Sequence, residues 1–268
     1  MNSFLPYLGG KRRLAATIAG HLEALPHRRY VEPFAGAAHV FFRKAPAAEE
    51  VLADANAELV VLYRVVQRHL EELLRHFRWA LVSRDEFERC RQARSETLTD
   101  VQRAVRFYYL QKLAFGGRTH RPVFGMDTQH PPRINWLRLE ETLSGAHLRL
   151  AGVGLECLDW RTSLARFDGA DTLFYLDPPY WGCEGDYGPG LFRREDFAAL
   201  RDALAGIQGK FILSLNDRPE VRALFEDFHL LPVRTLYTIQ ARINTKSAAE
   251  LLIGNVPFGA AQDEPQAG

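Results

Sequence analysis

The sequence predicts an α/β fold in which a mainly parallel sheet carries helices on both faces and is interrupted by a mainly helical insertion. Short apolar runs alternate with helix-forming segments near the start of the chain and again from residue 148 onward. Such alternation is typical of βα units, which build parallel sheets. The middle of the chain contains helix-forming segments without strands between them, which places it outside the sheet.

The first elements follow from short apolar runs and from helical spacing. Residues 29–34 predict a strand, and residues 35–42 predict a helix that opens directly after it. A second strand is expected at 50–54, where it ends on an acid. A long helix is predicted from about residue 57 to 75, because apolar residues recur there at close to helical spacing.

Helices are also predicted at 85–94 and 99–114, before a segment rich in glycine and proline that extends to about residue 132. That segment has no helical period and predicts a hairpin or an extended loop. The tail from residue 257 is small and polar and is expected to be disordered. In the last third, strands are predicted at 172–176, 210–215, near 236–240 and at 250–253, and helices at 194–207 and 219–225.

The composition excludes several classes of protein. Of 268 residues, 47% are hydrophobic and 25% charged, which is ordinary for a soluble globular protein. No stretch approaches the roughly 18 apolar residues of a membrane span, and the N-terminus lacks the pattern of a secretory signal. The cysteines Cys90, Cys157 and Cys183 offer no zinc spacing and fit a reducing compartment. We therefore expect a cytoplasmic protein of a bacterial or phage-infected cell, without a metal and without a membrane.

The distribution of charge is uneven, although the net charge is only +1. Residues 61–150 contain 16 Lys and Arg against 10 Asp and Glu, a balance of +6, so the remainder of the chain carries −5. Residues 103–138 alone hold seven basic residues and one acid. A local basic excess of this kind indicates a surface that binds a polyanion, or else a solvated helix face.

The most specific motif is the tetrapeptide Asp177-Pro178-Pro179-Tyr180, which follows the apolar run 172–176. A buried strand that stops at this tetrapeptide makes a stiff turn, because proline fixes its own φ and pushes the preceding residue toward an extended conformation. The carboxylate of Asp177 and the carbonyl of Pro178 can then face the same small volume, with the ring of Tyr180 as one wall. Such a turn suits a flat heterocycle that carries an exocyclic amine.

Methylation of that amine is the chemistry that the turn favours. The amine of adenine is a poor nucleophile because its lone pair is delocalised into the ring. Two acceptors on its N–H bonds, assigned here to the Asp177 carboxylate and the Pro178 carbonyl, orient the amine and free the lone pair for in-line attack on a methyl group. Tyr180 is expected to stack on the target base, which must leave the duplex to reach such a pocket.

Three features at predicted strand ends indicate a site for the methyl donor. Gly36 closes the first strand, where a glycine lets the backbone approach a ligand. Asp54 ends the second strand about 20 residues later and is well placed to accept hydrogen bonds from ribose hydroxyls. The loop Tyr7-Leu8-Gly9-Gly10-Lys11 precedes the first helix and could wrap a carboxylate or stack on an adenine.

Missing motifs narrow the identity of the donor. The segment after the first strand lacks the GxGxxG pattern of a dinucleotide fold, and the chain has no P-loop, so NAD and ATP are not favoured. The remaining candidate for the methyl donor is a nucleoside with a small charged tail. S-adenosylmethionine fits, because it has ribose hydroxyls for Asp54 and an amino-acid end for the loop at 9–11.

Five segments of the chain, in the order in which they occur, resemble the D12 class of DNA N6-adenine methyltransferases. This group includes the bacterial DNA adenine methylase and many phage and prophage relatives. The resemblance runs from about residue 4 to 255. It is carried by the segments YLGGK at 7–11, VEPFAG at 31–36, LADAN at 52–56, FYYLQK at 107–112 and LDPPY at 176–180.

The resemblance implies a Rossmann-like S-adenosylmethionine-dependent methyltransferase sheet with a mainly helical DNA-recognition insertion. It implies a catalytic domain formed by 1–60 and 148–256, a target-recognition insertion at 61–147 and a disordered tail at 257–268. Asp177, Pro178, Pro179 and Tyr180 would serve a flipped adenine. The residues expected to bind S-adenosylmethionine are Tyr7, Gly10, Lys11, Glu32, Phe34, Gly36, Asp54 and Asp177.

The chain departs from the family pattern in two places. Ala37-Ala38-His39 stands where many relatives have a second glycine, and we expect His39 to be a solvated or packed histidine rather than a catalytic group. Phe115-Gly116-Gly117 stands where the bacterial housekeeping enzyme has an Asn-Gly hairpin, so the recognised DNA sequence does not carry over.

Double-stranded DNA is the expected partner, and the basic segment is the expected contact. Arginine can present two donors to guanine in the major groove, whereas contacts to phosphate only position the protein. We expect the hairpin near 117–123 to enter a groove and the preceding helix to contact phosphate. The sequence indicates no obligate protein partner, and a monomer or weak dimer is expected. The candidate DNA-binding residues are Arg103, Arg106, Lys112, Arg118, His120, Arg121, Arg133 and Asn135.

Three other functions stay open at this point. Methylation of the cytosine N4 amine uses the same geometry, although Asp rather than Ser before Pro-Pro favours adenine. Methylation of a glutamine amide in protein is typical of relatives with Asn-Pro-Pro-Tyr, and it leaves the basic insertion unexplained. A DNA-binding protein that has lost catalysis is the third alternative, and the intact turn at 177–180 argues against it.

Overall fold

The structure is a computed structural model that describes residues 1–7, 9, 11–115, 122–125, 138–188, 190–235 and 248–259. Its centre is a seven-stranded sheet. The strands are β1 (Arg29–Glu32), β2 (Glu49–Asp54), β3 (Gly154–Cys157), β4 (Thr172–Leu176), β5 (Lys210–Asn216), β6 (His229–Thr235) and β7 (Ala248–Gly254). The helices are α1 (Ala15–Glu23), α2 (Ala57–Arg68), α3 (Leu70–Phe77), α4 (Arg84–Gln92), α5 (Asp100–Leu113), α6 (Leu139–Leu150), α7 (Trp160–Phe167), α8 (Arg194–Ala205) and α9 (Pro219–Leu224).

The strand order β3-β2-β1-β4-β5-β7-β6 brings the carboxyl ends of the central strands to one edge of the sheet. The five strands from β3 to β5 are parallel, whereas β7 runs antiparallel to both β5 and β6. Val31 in β1 lies opposite Val51 on one side and Phe174 on the other. After β1 the chain continues to β2 on one side, whereas after β4 it continues to β5 on the other side. In open α/β sheets, ligands bind in the crevice where the strand order reverses in this way.

Both faces of the sheet are covered, as the alternation of elements predicted. Successive side chains of a strand point to opposite faces. Accordingly, Tyr30 and Tyr175 belong to a hydrophobic core beneath α1 and the helices α2 to α6. Val31 and Phe174, one position away, belong to a second core beneath α7, α8 and α9. All five residues of β4 are buried, which explains its continuous apolar run.

Helices α2 to α6 lie between β2 and β3 in the chain and share the first core with the sheet. The side chain of Asn56 caps α2 by accepting from the backbone N–H groups of Glu58 and Leu59. The single helix predicted from 57 to 75 is wrong in one respect, because His69 interrupts it with φ −133° and ψ 39°. The break turns α3 so that it packs against α5 and α6.

The helix predicted at 35–42 is also wrong, since these residues form turns. Gly36 has a φ of 48° and Ala38 a φ of 50°, and such left-handed backbone cannot continue a helix. Arg149 of α6 holds the segment in place by donating to the carbonyl oxygen of Phe41 at 3.1 Å and to Glu50 of β2. The segment thereby wraps around the carboxyl end of β1 instead of leading away from it.

Several other predictions can be compared with the described residues. Strands β1, β2, β4, β5 and β7 and helices α4, α5, α8 and α9 confirm the expected elements with small shifts of their ends. At the predicted hairpin, an antiparallel bridge joins Ala114 to Phe124, while most of the segment lies outside the described residues. The predicted strand at 236–240 and most of the tail also lie outside them. Within the described residues, no helix has the length and apolar character needed to cross a membrane.

Candidate functional site

A cleft with about 840 Å³ of open space lies at the carboxyl ends of β1, β2 and β4. The walls come from the N-terminal segment, the turns after β1, the end of β2, the start of α7 and the turn after β4. The predicted site residues that line it are Tyr7, Lys11, Glu32, Phe34, Gly36, Asp54, Asp177 and Pro179.

The turn after β4 presents Asp177 to this cleft. Pro178 and Pro179 are buried, whereas the side chain of Asp177 is 20% exposed. The far side of the turn is fixed to β5, because the side chain of Asn216 accepts from the N–H of Trp181 and donates to its carbonyl oxygen, each at 3.0 Å. A turn that is held on both sides keeps its carboxylate in one place, as orientation of a reacting amine requires.

Lys11 joins the two ends of the turn at 177–180. Its Nζ donates to Asp177 Oδ1 at 2.5 Å and to Tyr180 Oη at 2.9 Å, and it lies 3.0 Å from Glu250 Oε1. The ammonium also lies 4.3 Å from the centre of the Tyr180 ring. Because these acceptors belong to the protein, Lys11 orients the turn directly. Its predicted contact with the methyl donor stays a prediction.

Burial and charge set the protonation of the cleft. Burial raises the pKa of Asp177 to about 6, and the nearby Lys11 ammonium limits the rise. Burial alone would lower the pKa of Lys11, but the carboxylates of Asp177 and Glu250 outweigh it and hold that pKa well above its ordinary value. Burial raises the pKa of Glu32 to about 8, so Glu32 is mostly neutral at pH 7. The ion pair of Lys11 and Asp177 is therefore charged at neutral pH.

Asp54 and Gly36 meet at the neighbouring strand ends. Asp54 accepts from the N–H of Gly36 at 3.0 Å through Oδ2 and from the N–H of Asn56 at 2.8 Å through Oδ1. The hydroxyl of Tyr63 donates to the Gly36 carbonyl at 2.9 Å. A Cβ on Gly36 would lie 3.3 Å from the Tyr7 ring, so both its φ and its surroundings favour glycine. Burial raises the pKa of Asp54, an effect that these two N–H bonds oppose.

Phe34, Glu32 and His39 complete the wall beside β1. The ring of Phe34 meets that of Phe192 edge to face, with centroids 5.8 Å apart. Glu32 is 1% exposed and accepts from the Tyr30 hydroxyl at 2.6 Å. His39 also lines the cleft, and burial lowers its pKa to about 4, so it is neutral at pH 7.

The predicted DNA-binding residues fall into two groups. Arg103 and Arg106 lie on α5, where Arg103 pairs with Glu58 at 2.6 Å and Arg106 donates to the Cys90 carbonyl at 2.6 Å. Lys112 lies over the ring of Tyr108 and is half-buried. These contacts give the three cations roles within the helices, and their contact with phosphate stays a prediction. Arg118, His120, Arg121, Arg133 and Asn135, and also the donor-site residue Gly10, lie outside the described residues.

Several residues of the cleft were missed from the sequence. Asp159 and Trp160 line the cleft at the start of α7, shortly after β3. An acid that follows a short strand is the pattern that predicted Asp54, and the same pattern applies to Asp159. Tyr175 was treated only as part of a strand, yet it lines the cleft as well. The Tyr175 hydroxyl and the Trp160 Nε1 are buried and lack a hydrogen-bond partner among the described residues, which leaves both for a ligand. Glu250 gave no signal beyond its being an acid within an apolar strand.

Comparison with known proteins assigns the family. Residues 7–239 match the D12 class N6 adenine-specific DNA methyltransferase family. The type II methyltransferase M1.LlaDCHI of Lactococcus lactis subsp. cremoris is 24% identical over 285 residues, which cover 95% of both chains. The DNA adenine methylase of Escherichia coli strain K12 is 25% identical over 281 residues, 94% of both chains. The type II methyltransferase M.CviBI of Paramecium bursaria Chlorella virus NC1A is 24% identical over 204 residues, 74% of this chain and 77% of the relative.

The family match covers most of the chain, and it includes every described residue that lines the cleft. The resemblance stated from the sequence is therefore confirmed. The chain belongs to the D12 class of N6 adenine-specific DNA methyltransferases.

Proposed function

We propose that this protein moves a methyl group from S-adenosylmethionine to the N6 amine of an adenine that is turned out of double-stranded DNA at specific sites. One observation carries the proposal: Asp177 and Pro179 of the turn 177–180 line the same cleft as Asp54 and Gly36, with Pro178 and Tyr180 beside them in the chain. A site for an amine and a site for a nucleoside donor thus share one volume. The protein would act in the cytoplasm, as a monomer or weak dimer and without an obligate partner.

The cleft offers polar groups that suit S-adenosylmethionine. Asp54 at the end of β2 suits the ribose hydroxyls, as in Rossmann-like sheets, where the acid after the second strand holds a ribose. Gly36 leaves room for the donor beside Tyr7. The buried hydroxyl of Tyr175 and the indole N–H of Trp160 lack partners among the described residues, and each can pair with a polar group of the donor. When bound, S-adenosylmethionine supplies an electrophilic methyl group on a sulfonium.

The turn after β4 would orient the amine that attacks this methyl group. The Asp177 carboxylate and the Pro178 carbonyl accept its two N–H bonds, which holds the amine and localises its lone pair. Transfer would form a bond between N6 and the methyl carbon and break the bond from that carbon to sulfur, and N6 would then lose one proton. We assign the carboxylate of Asp177 as the acceptor for that proton. Tyr180 supplies an aromatic face for a base that has left the stack.

DNA contact is assigned to the helices between β2 and β3 and to the segment that follows α5. Phe115 and Val123 are described residues of this segment and are 66% and 65% exposed. Both lie within the basic stretch 103–138 of the sequence. A local excess of basic residues in the sequence suits a surface that binds nucleic acid. Base reading is proposed for the segment 117–123 and phosphate contact for α5, where Arg103 and Arg106 also pair with Glu58 and with a backbone carbonyl.

The rate of methyl transfer should fall as the pH drops through about 6. The pKa of Asp177 is raised to about 6, and protonation below that pH removes the charge that accepts the amine. An aspartate with an ordinary pKa would move the midpoint to about 4. Single-turnover rates on unmethylated DNA from about pH 5 to about pH 8 measure this limb. A midpoint near the ordinary value would contradict the proposed role of the buried carboxylate.

The function itself is tested by the DNA of cells that express the protein. We expect mass spectrometry of hydrolysed DNA to detect N6-methyladenine, against none in the same adenine-methylation-deficient host with an empty vector. Sequencing of the methylated positions should show them in one short sequence context. Only N4-methylcytosine would establish the alternative substrate, and no methylated base at all would support a DNA-binding protein without catalysis.

A further inference from the structure

Glu250 lies behind the catalytic turn and is 3% exposed. Its Oε2 accepts from the Tyr180 hydroxyl at 2.7 Å, and its Oε1 accepts from the Ser214 hydroxyl at 2.6 Å. The same Oε1 lies 3.0 Å from Lys11 Nζ. A buried carboxylate is costly unless it is paired and hydrogen-bonded, and here both of its oxygens are satisfied.

The sheet brings Glu250 to this place. Strand β7 lies between β5 and β6, and Glu250 lies opposite Asn216 at the end of β5. Asn216 is the residue whose side chain holds the Trp181 backbone. Ser214, two positions earlier in β5, points to the same face of the sheet. The last part of the sheet thus contacts the turn 177–180 and the residue after it, through Glu250 and Asn216.

Lys11 is consequently shared between two carboxylates, Asp177 and Glu250. Its ammonium also donates to the Tyr180 hydroxyl, which in turn donates to Glu250. Without Glu250, the Tyr180 hydroxyl loses its acceptor, and Lys11 pairs with Asp177 alone. A tighter pair would draw the Asp177 carboxylate toward Lys11 and away from an incoming amine.

We propose that Glu250 is a positioning residue for methyl transfer, which fixes the Lys11 ammonium and the Tyr180 ring so that Asp177 remains available to the target amine. The proposal rests on the proposed function, since it assigns the parts of the same site. Glu250 itself does not line the cleft. It acts through Lys11 and Tyr180, and Ser214 restrains its carboxylate.

The charge of Glu250 also affects the pH dependence. The titratable groups that face Asp177 are Lys11 from the N-terminal segment, Glu32 from β1, Tyr175 from β4, and Glu250 from β7. Tyr180 completes this set from the turn. The negative charge of Glu250 opposes ionisation of Asp177. Glu250→Gln removes that charge and leaves Lys11 to Asp177, and both effects lower the pKa of Asp177. The acid limb of the rate profile should therefore move to lower pH.

The test combines single-turnover methylation of mixed-sequence unmethylated DNA with S-adenosylmethionine binding and thermal unfolding. Glu250→Gln should lower the rate by about tenfold to a hundredfold, as expected for a lost buried hydrogen bond to a charge. Donor affinity should change by less than about threefold, because the donor residues are untouched. Ser214→Ala removes one contact of the carboxylate and should lower the rate by only about threefold. Glu49→Gln, at the opposite end of the sheet, should leave the rate unchanged.

A double-mutant cycle with Tyr180→Phe distinguishes positioning from simple packing. Tyr180→Phe keeps the ring and removes the hydroxyl, so the combined Tyr180→Phe/Glu250→Gln variant should be little slower than the slower single variant. Strictly additive losses, an unmoved acid limb, or a wild-type rate in Glu250→Gln would overturn the proposal. If Glu250→Gln does not fold, a wild-type rate in Ser214→Ala would overturn the proposal. Failure of the wild-type protein to methylate adenine would instead refute the proposed function.

Discussion

Replacing Asp177 with alanine is expected to lower the rate of methyl transfer by at least about a thousandfold while the protein remains folded. The substitution removes both the electrostatic contribution of the carboxylate and its orientation of the amine, and such contributions reach about a hundredfold to a thousandfold each. Folding should survive because Lys11 keeps Glu250 and Tyr180 as partners, so no buried cation is left alone. Single-turnover kinetics on unmethylated DNA and circular dichroism measure the two effects.

Two variants make this test specific. Asp177→Asn keeps one acceptor oxygen without the charge, so its rate should lie between those of the wild type and Asp177→Ala. Asp171→Ala makes the same change at an exposed residue directly before β4, at the opposite edge of the sheet, and should have no effect. Retention of more than about a tenth of the wild-type rate in Asp177→Ala would contradict the assigned mechanism.

Replacing Asp54 with alanine should have the second largest effect, a loss of S-adenosylmethionine affinity of about a hundredfold. Hydrogen bonds that a charged carboxylate accepts from two ribose hydroxyls are each worth about 1.5–3 kcal/mol, and about 1.4 kcal/mol corresponds to tenfold in affinity. The change also releases the N–H of Gly36, which loosens the turn beside the donor. Titration calorimetry with S-adenosylmethionine measures the loss directly.

Two further variants distinguish a loss of donor binding in Asp54→Ala from a loss of folding. Asp54→Asn retains an oxygen for the Gly36 N–H and should lose less affinity. Asp202→Ala, at an exposed position of α8, should bind the donor as the wild type does. A lower melting temperature in Asp54→Ala with unchanged donor affinity would show that Asp54 only anchors the turn.

Much of the fold could be predicted because the composition of a segment indicates whether it is buried. The spacing of its apolar residues indicates whether it is a helix or a strand. Strand β4 is apolar throughout since both of its faces are covered, and α5 shows its start through Thr99 and Gln102, which form a capping box. The turns at 35–42 could not be predicted in the same way. Their residues are compatible with a helix, and the left-handed backbone at Ala38 arises from the way the segment is held by Arg149, Asp54 and Tyr63.

The candidate site was predictable where a motif and a strand end coincide. Asp54 and Asp177 each follow a predicted strand, and parallel strands bring such ends together. Asp159 satisfies the same rule, and it was overlooked because β3 has only four residues, none of them fully buried. Lys11 was assigned to the donor, while the structure pairs it with the catalytic turn. A loop before a helix does not reveal which side of a cleft its lysine will face.

The sequence by itself determined the α/β fold class and the family, and it predicted the chemistry proposed for the turn at 177–180, because these depend on local composition and on short motifs in a set order. Tertiary structure alone decided the environment of that turn. Lys11 and Glu250 lie near opposite ends of the chain, and they meet only because β7 inserts between β5 and β6 and the N-terminal segment crosses the same edge. The register of long-range strand pairs carries no local signal. The motif at 177–180 therefore identifies the Asp177 carboxylate, whereas its pairing with Lys11 and the contact of Lys11 with Glu250 are visible only in the folded chain.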